Sequence, residues 1–343
     1  MARRSVPHRP TIADVAALAG VSKGAVSRAF NGGERISAAT IQRIHDAATQ
    51  LGWVPSAAAR AINGAPTQAV GIVVRRPPEL LDIDPFFPAF LAGVETVLAR
   101  HEYATIIRFV EGAKQERACY ERMMAERQVD GFLLNDLRRP DFRFRLLSGM
   151  GAPAVVVGTP GPSCPYPSVD SDSTPRVRQL IEHLIAMGHR RIAHVTGVPE
   201  LLHSRARETL WRQTLADHGI EPGPVAVGNF VAAGGAQATR QLLAEPRRPS
   251  AIFYGNDVMA VGGMAVLAEH GLRVPEDVAV AGFDDIELAS YLTPALSTVH
   301  CDYPGLGRAA AEMLLTAIGG TAPSWRVTLP TQVRLRRSTA NTG

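Results

Sequence analysis

Lys23, Gly24, Ser27 and Arg28 fall on one side of a short segment whose other side carries Val26, Ala29 and Phe30. Side chains of these types suit nucleic-acid recognition: Lys and Arg donate to guanine edges or to phosphates, and a serine hydroxyl suits a phosphate oxygen. Asn31, just beyond the segment, could do likewise. The same stretch holds Gly20-Val21-Ser22-Lys23-Gly24, which satisfies the GxSxG pattern of a nucleophile elbow. That chemistry needs a strand before the serine, a helix after it, and a positioned His and acid. Here the residues before Ser22 are helical in pattern, so a serine hydrolase using Ser22 stands only as an alternative.

A polar helix face can read a duplex only when its apolar face is held rigidly. Thr11 is a good N-cap before Ile12, Val15, Ala16 and Ala19, which share a helical face, and Gly20 breaks the pattern. Ser22 caps a second helix running through Phe30, and the link from Ala19 to Ser22 has the length and the glycine of a helix-turn-helix. Ser37 caps a third helix, with Ile41, Ile44, Ala48 and Leu51 inward, that ends before Gly52. Residues 1–64 hold eight basic side chains against three acidic ones, leaving a net charge of −1 for the other 279 residues. A basic head on a near-neutral body is the footprint of a polyanion-binding module. The alanine-rich stretch 56–64 predicts a short helix, marginal alone, whose Arg60 and Ile62 suit insertion into a minor groove.

From residue 69 apolar runs alternate with amphipathic stretches. Strands are expected at 70–74, 105–110, 131–135 and 154–158, then at 192–196, 225–230, 251–254 and 278–281, with helical patterns between them. Such alternation predicts parallel sheets covered on both faces. The Pro/Gly-rich break at 159–167 divides the strands into two sets. The expected organisation is a helix-turn-helix domain at 1–55, a hinge helix and linker at 56–68, and a two-lobed α/β body at 69–343. Its lobes span about 69–160 and 168–290, and 291–343 crosses between them. Ligands in such sheets lie beyond the carboxyl ends of the strands. Asn256, Asp284 and Arg207 could hydrogen-bond a polyhydroxylated ligand there, with Phe230 or Phe87 as an aromatic face.

Catalytic patterns are thin. The sequence has no HExxH, no Walker loop and no GxGxxG between a strand and a helix. Asp284 and Asp285, being adjacent, should point apart rather than act as an acid/base pair. No enzyme activity, metal or cofactor is expected. Cys119, Cys164 and Cys301 form no CxxC pair and read as reduced thiols. No run approaches the roughly 20 apolar residues of a membrane span. The basic N-terminus leads into no apolar signal region, so a cytoplasmic location is expected.

Several motifs together resemble the lac repressor/galactose repressor family. Residues 11–16 (Thr-Ile-Ala-Asp-Val-Ala), 19–23 (Ala-Gly-Val-Ser-Lys), 26–28 (Val-Ser-Arg) and 55–62 (Pro-Ser-Ala-Ala-Ala-Arg-Ala-Ile) resemble its DNA-binding head and hinge. Residues 274–278, 281–286 (Ala-Gly-Phe-Asp-Asp-Ile), 292–299 and 306–308 resemble its effector-binding body. The resemblance implies a homodimer on a near-palindromic DNA operator, with bodies folded like periplasmic sugar-binding proteins. It further implies a repressor of a carbohydrate-utilisation operon whose operator affinity is changed by a small effector, a sugar. Lys23, Gly24 and Arg28 fall where the family reads bases, and Ile62 where a leucine usually enters the minor groove. Arg207, Asn256 and Asp284 match effector contacts, and Phe230 matches a stacking aromatic. Ala25 replaces a usual threonine, and Leu210 and Arg176 replace usual glycines, so the pocket's shape departs from the family pattern. A sugar-binding transport protein would share the body but has no use for residues 1–64.

Overall fold

Three helices, each started by a capping residue of its own, make the head of this computed structural model, which describes residues 10–30, 36–54, 66–78 and 84–340. Helix α1 (Ile12–Ala19) starts behind Thr11, whose backbone N–H and hydroxyl both donate to the Asp14 carboxylate at 2.7 Å. It stops at Gly20, whose φ of 65° is open to glycine without a Cβ penalty, and the Val21 N–H reaches back to the Ala16 carbonyl at 3.0 Å. Helix α2 (Lys23–Phe30) follows Ser22, whose Oγ accepts from the Ala25 N–H at 3.2 Å. Helix α3 (Ala38–Leu51) starts at Ser37, whose side chain accepts from the Thr40 N–H. Val15, Ala16, Ala19, Val26, Ile44, Ala47 and Ala48 form the core, with Phe30 and Trp53 edge-on at 5.3 Å sealing one side. The three helices expected from the sequence are all present. The short helix expected at 56–64 lies outside the described residues.

In the body, two parallel sheets define two lobes. The first has the order β2-β1-β3-β4-β5-β11, from β1 (Ala69–Val74), β2 (Ala104–Phe109), β3 (Gly131–Leu134), β4 (Ala154–Val157), β5 (Ser168–Ser171) and β11 (Arg326–Leu329). The second has the order β7-β6-β8-β9, from β6 (Ile192–Thr196), β7 (Val225–Val227), β8 (Ala251–Tyr254) and β9 (Ala279–Ala281). An antiparallel ribbon, β10 (Thr298–Cys301) with β12 (Thr331–Arg334), completes the second lobe. Strands β1, β3 and β4 are buried throughout, as continuous apolar runs between two layers of helices must be.

Helices α4 (Phe86–Leu98), α5 (Ala113–Ala125), α6 (Phe142–Gly149) and α11 (Tyr303–Ile318) belong to the first lobe. Helices α7 (Thr174–Ala186), α8 (Leu202–Asp217), α9 (Ala232–Leu243) and α10 (Asp257–Glu269) belong to the second. The two-residue strand period sorts the second lobe's core. Ala251 and Phe253 pack with α7 and α8, while Ile252 and Tyr254 face α9 and α10.

The chain passes between lobes three times: after β5, between β10 and α11, and between β11 and β12. The Thr331 hydroxyl donates to the Asp172 carbonyl at 2.6 Å, tying two crossings together. Two sequence expectations change here. The sequence pattern places residues 168–171 at the start of the second lobe, but they pair with β4 and β11, so the first crossing falls after Ser171 and not in the 159–167 break. The strand expected to reach 230 ends at Val227, because Asn229 and Phe230 turn the backbone to φ of 55° and 65°.

Candidate functional site

Between the lobes lies a cavity of about 1490 Å³. On the second lobe's wall each polar group is placed by the strand or helix it belongs to. Asn256 follows β8 and caps α10: its Oδ1 accepts the Met259 N–H at 2.9 Å while its Nδ2 donates to the Phe230 carbonyl at 3.2 Å. Phe230 lies beyond β7 with its ring against Gly197, where any Cβ would overlap that ring. Arg207, on α8, lays its guanidinium over the Phe283 ring at 3.6 Å and donates to the Gly255 carbonyl at 2.7 Å. Asp284 follows β9 at φ 118°, a conformation costly for any residue with a Cβ, and accepts a hydrogen bond from the Tyr303 hydroxyl. Burial pushes the Asp284 carboxyl up to about 7, against the Arg207 charge and the tyrosine hydrogen bond.

Its neighbour Asp285 points away, accepting from Arg336 at 2.6 Å and pairing with His300 at 3.1 Å. The two carboxylates are therefore not a catalytic pair, as their adjacency predicts.

On the opposite wall charges hold one another. Arg76, just past β1, meets both oxygens of Asp136 at 2.6 Å through Nε and Nη2, and its Nη1 meets Asp84 at 3.2 Å. All three side chains are at least 90 % buried. Burial opposes ionisation of Asp136, yet Arg76 and the neighbouring cations hold its carboxyl below the usual range. Burial outweighs the same arginine at Asp84, whose carboxyl is raised. The Arg76 guanidinium also sits 5.6 Å from the centre of the Phe230 ring, so it spans the two walls. His203 packs beside Phe230 at 5.3 Å, and burial, with the Arg207 charge adding to it, lowers its imidazole to about 3, so the ring is neutral. Nearby, the Leu202 N–H donates to the Leu137 carbonyl at 2.8 Å and Arg138 bridges to Leu201, joining the lobes away from the crossings.

The cavity thus brings together Arg207, Phe230, Asn256 and Asp284. Phe87 is a correction. It is 1 % exposed in the first lobe's core, while Phe86, one residue earlier on α4, lines the cavity and meets Tyr303 edge-on at 5.0 Å. Arg76, Asp84, Asp136, His203, Phe283 and Tyr303 also line it and are absent from the sequence-based set. The signal for Arg76 and Asp136 was available, since both follow the carboxyl ends of strands. Leu210 packs into the second lobe's core while lining the cavity, and Arg176 donates to the Thr331 carbonyl at 3.2 Å, bracing a crossing.

In the head, Lys23, Gly24 and Arg28 are exposed on α2 and Ser27 is half-buried. The Thr11 hydroxyl is bonded to Asp14 and the Ser22 hydroxyl caps α2. Helix α1, not a strand, leads into Ser22, so its GxSxG pattern forms no nucleophile elbow. Asn31, Arg60 and Ile62 lie outside the described residues. Among the described residues no helix is long and apolar enough to cross a membrane.

Residues 11–56 match the bacterial regulatory proteins of the lacI family, and residues 181–339 match the periplasmic binding protein-like domain. The HTH-type transcriptional regulator CelR of Thermobifida fusca is 35% identical over 338 residues, covering 96% of this chain and 98% of CelR. A transcriptional regulator CelR–cellobiose complex superposes with a TM-score of 0.73 at 33% identity, covering 96% of this chain and 100% of that one. The lac repressor dimer bound to operator and the anti-inducer ONPF superposes with a TM-score of 0.83 at 28% identity, covering 97% and 99%. A helix-turn-helix head, two parallel-sheet lobes and similarity along nearly the whole chain lead to one conclusion: this chain belongs to the lacI family of DNA-binding transcriptional regulators.

Proposed function

We propose that the chain is a cytoplasmic repressor of carbohydrate-utilisation genes, a homodimer on a near-palindromic operator whose affinity is changed by a sugar held between the lobes. The observation that carries this reading is the pairing, in one chain, of an exposed Lys23, Gly24 and Arg28 face on a rigidly cored helix with an aromatic-lined polar cavity. On this reading Lys23, Gly24 and Arg28 reach base edges in the major groove, and Thr11, Ser22, Ser27 and Asn31 lie along phosphates. Arg60 and Ile62 enter the minor groove. In the body, Arg207, Asn256 and Asp284 hydrogen-bond sugar hydroxyls and Phe230 stacks on a ring face, with Arg76 and Asp136 acting from the other wall. Cellobiose in the CelR complex supports a sugar as the ligand class.

A sugar alters DNA binding only by preferring one of two lobe arrangements, so it can release the operator or tighten the grip on it. The test is selection of DNA fragments retained by the purified protein, followed by a sugar panel. A recurring near-palindrome whose retention changes with one sugar is the expected result. Arg28→Ala should weaken the selected site by about 1–3 kcal/mol and random DNA by less. Retention without sequence preference, indifferent to every sugar, would refute the reading.

A further inference from the structure

The cavity is larger than one sugar ring requires. Its volume of about 1490 Å³ exceeds the roughly 300–1,000 Å³ of ordinary small-molecule pockets. The groups described above occupy only part of it. Helix α8 lines the cavity with His203, Arg207, Leu210 and Gln213, one helical face that rises about 15 Å from first to last at 1.5 Å per residue. His203 and Arg207 belong to the cluster around Phe230 and Asp284, while Leu210 and Gln213 continue past it. Across from the second lobe, α6 contributes Phe144, Arg145 and Ser148 at helical spacing, and the 158–165 loop adds Pro160, Pro162 and Pro165. Phe144 is half-buried, braced by Tyr166 at a ring separation of 6.4 Å. The Pro/Gly-rich break in the sequence is thus a cavity wall.

Resting on the sugar reading above, we infer that the cavity has a second subsite and takes an oligosaccharide. One ring sits among Phe86, Phe230, Arg207 and Asp284. Further rings lie against Phe144, Leu210, Gln213 and the proline-rich loop. The second subsite shares with the first an aromatic face and groups that exchange hydrogen bonds with sugar hydroxyls, here the Gln213 amide and the Ser148 hydroxyl, and adds an apolar flank.

The test uses the full-length protein on its selected operator fragment and titrates two ladders, glucose through cellotetraose and glucose through maltotetraose. In the active ladder a di- or trisaccharide should act at a concentration at least about tenfold below that of glucose. Phe144→Ala and Gln213→Ala should each reduce this length advantage to about threefold or less. Ser148→Trp, which fills the second subsite from an exposed helix position, should do the same without touching the core. Glucose acting at the same concentration as every longer homologue would overturn the inference and leave the sugar reading standing. So would a length advantage that survives all three variants. If no saccharide of any length binds the protein by calorimetry, the sugar reading falls and the second subsite with it.

Discussion

The two walls of the cavity are built by different means. On the second lobe, Arg207, Phe230, Asn256 and Asp284 are placed by the helix or strand ends that carry them, with single hydrogen bonds or ring contacts as support, the one from Asn256 to the Phe230 carbonyl included. On the first lobe, Arg76 is held by Asp84, eight residues away, and by Asp136, sixty residues away. The first kind of wall can lose one member and keep the rest. The second is a buried ion cluster, in which each charge is tolerated only because the others are present.

Removing the shared cation tests that difference most severely. Arg76→Ala leaves Asp84 and Asp136 buried with the guanidinium gone, and breaking a buried pair in this way costs about 3–5 kcal/mol. Urea unfolding of the variant should show a loss of that order, partly recovered when both aspartates are also changed to asparagine. A loss below about 1 kcal/mol would mean that water reaches the carboxylates and that the two walls do not differ as described.

On the other wall the strongest effect is tied to pH. The Asp284 carboxyl moves from an ordinary 3.8 to about 7 on folding, so the native state holds its proton more tightly than the unfolded chain does. Its contribution to stability is complete below about pH 3.8 and is lost as pH rises through about 7. Asp284→Asn removes this loss. The stability of the variant relative to the parent should therefore rise between pH 5 and pH 8, towards a limit on the order of 4 kcal/mol. Asp257, whose buried carboxyl is raised by burial and then by the Asp284 charge, titrates with it, so the difference reads Asp284 together with the relief of that neighbour. A difference that stays flat across that range would contradict a protonated Asp284 near neutrality.

The same contrast explains what could be read from the sequence. The head was legible because Thr11, Gly20, Ser22, Ser37 and Gly52 each lie next to the helix end that they fix. The second lobe's wall was legible for a similar reason, since Asn256 and Asp284 follow short apolar runs that read as strands. Of the Arg76 cluster only the positions were legible, Arg76 and Asp136 following strand ends; their pairing was not, because a contact across sixty residues leaves no local periodicity. Phe87, the residue expected from the sequence, faces the core and Phe86 the cavity, because neighbouring positions on a helix differ by about 100° in direction and the phase of α4 decides which one meets the cavity. Strands β5, β10, β11 and β12 escaped notice as short, largely polar segments. β11 pairs with β5 158 residues away in the chain, and only the completed sheet defines it.

The smallest expected effect separates a positional role from a binding one. Two interactions of Asn256 belong to the fold: its Oδ1 caps α10 and its Nδ2 holds the Phe230 carbonyl. Asn256→Ala should cost about 1 kcal/mol, the usual loss of an N-cap. Asn256→Ser keeps a capping oxygen and should recover most of that stability, but it supplies no amide to the cavity or to the Phe230 backbone. If the residue only caps, the serine variant will respond to sugar like the parent while the alanine variant alone is impaired. If the amide takes part in binding, directly or by fixing Phe230, both variants will need several-fold more sugar, as the loss of one neutral hydrogen bond requires. The second outcome would show that even a wall of separately placed groups uses the same atoms for its own architecture and for its ligand.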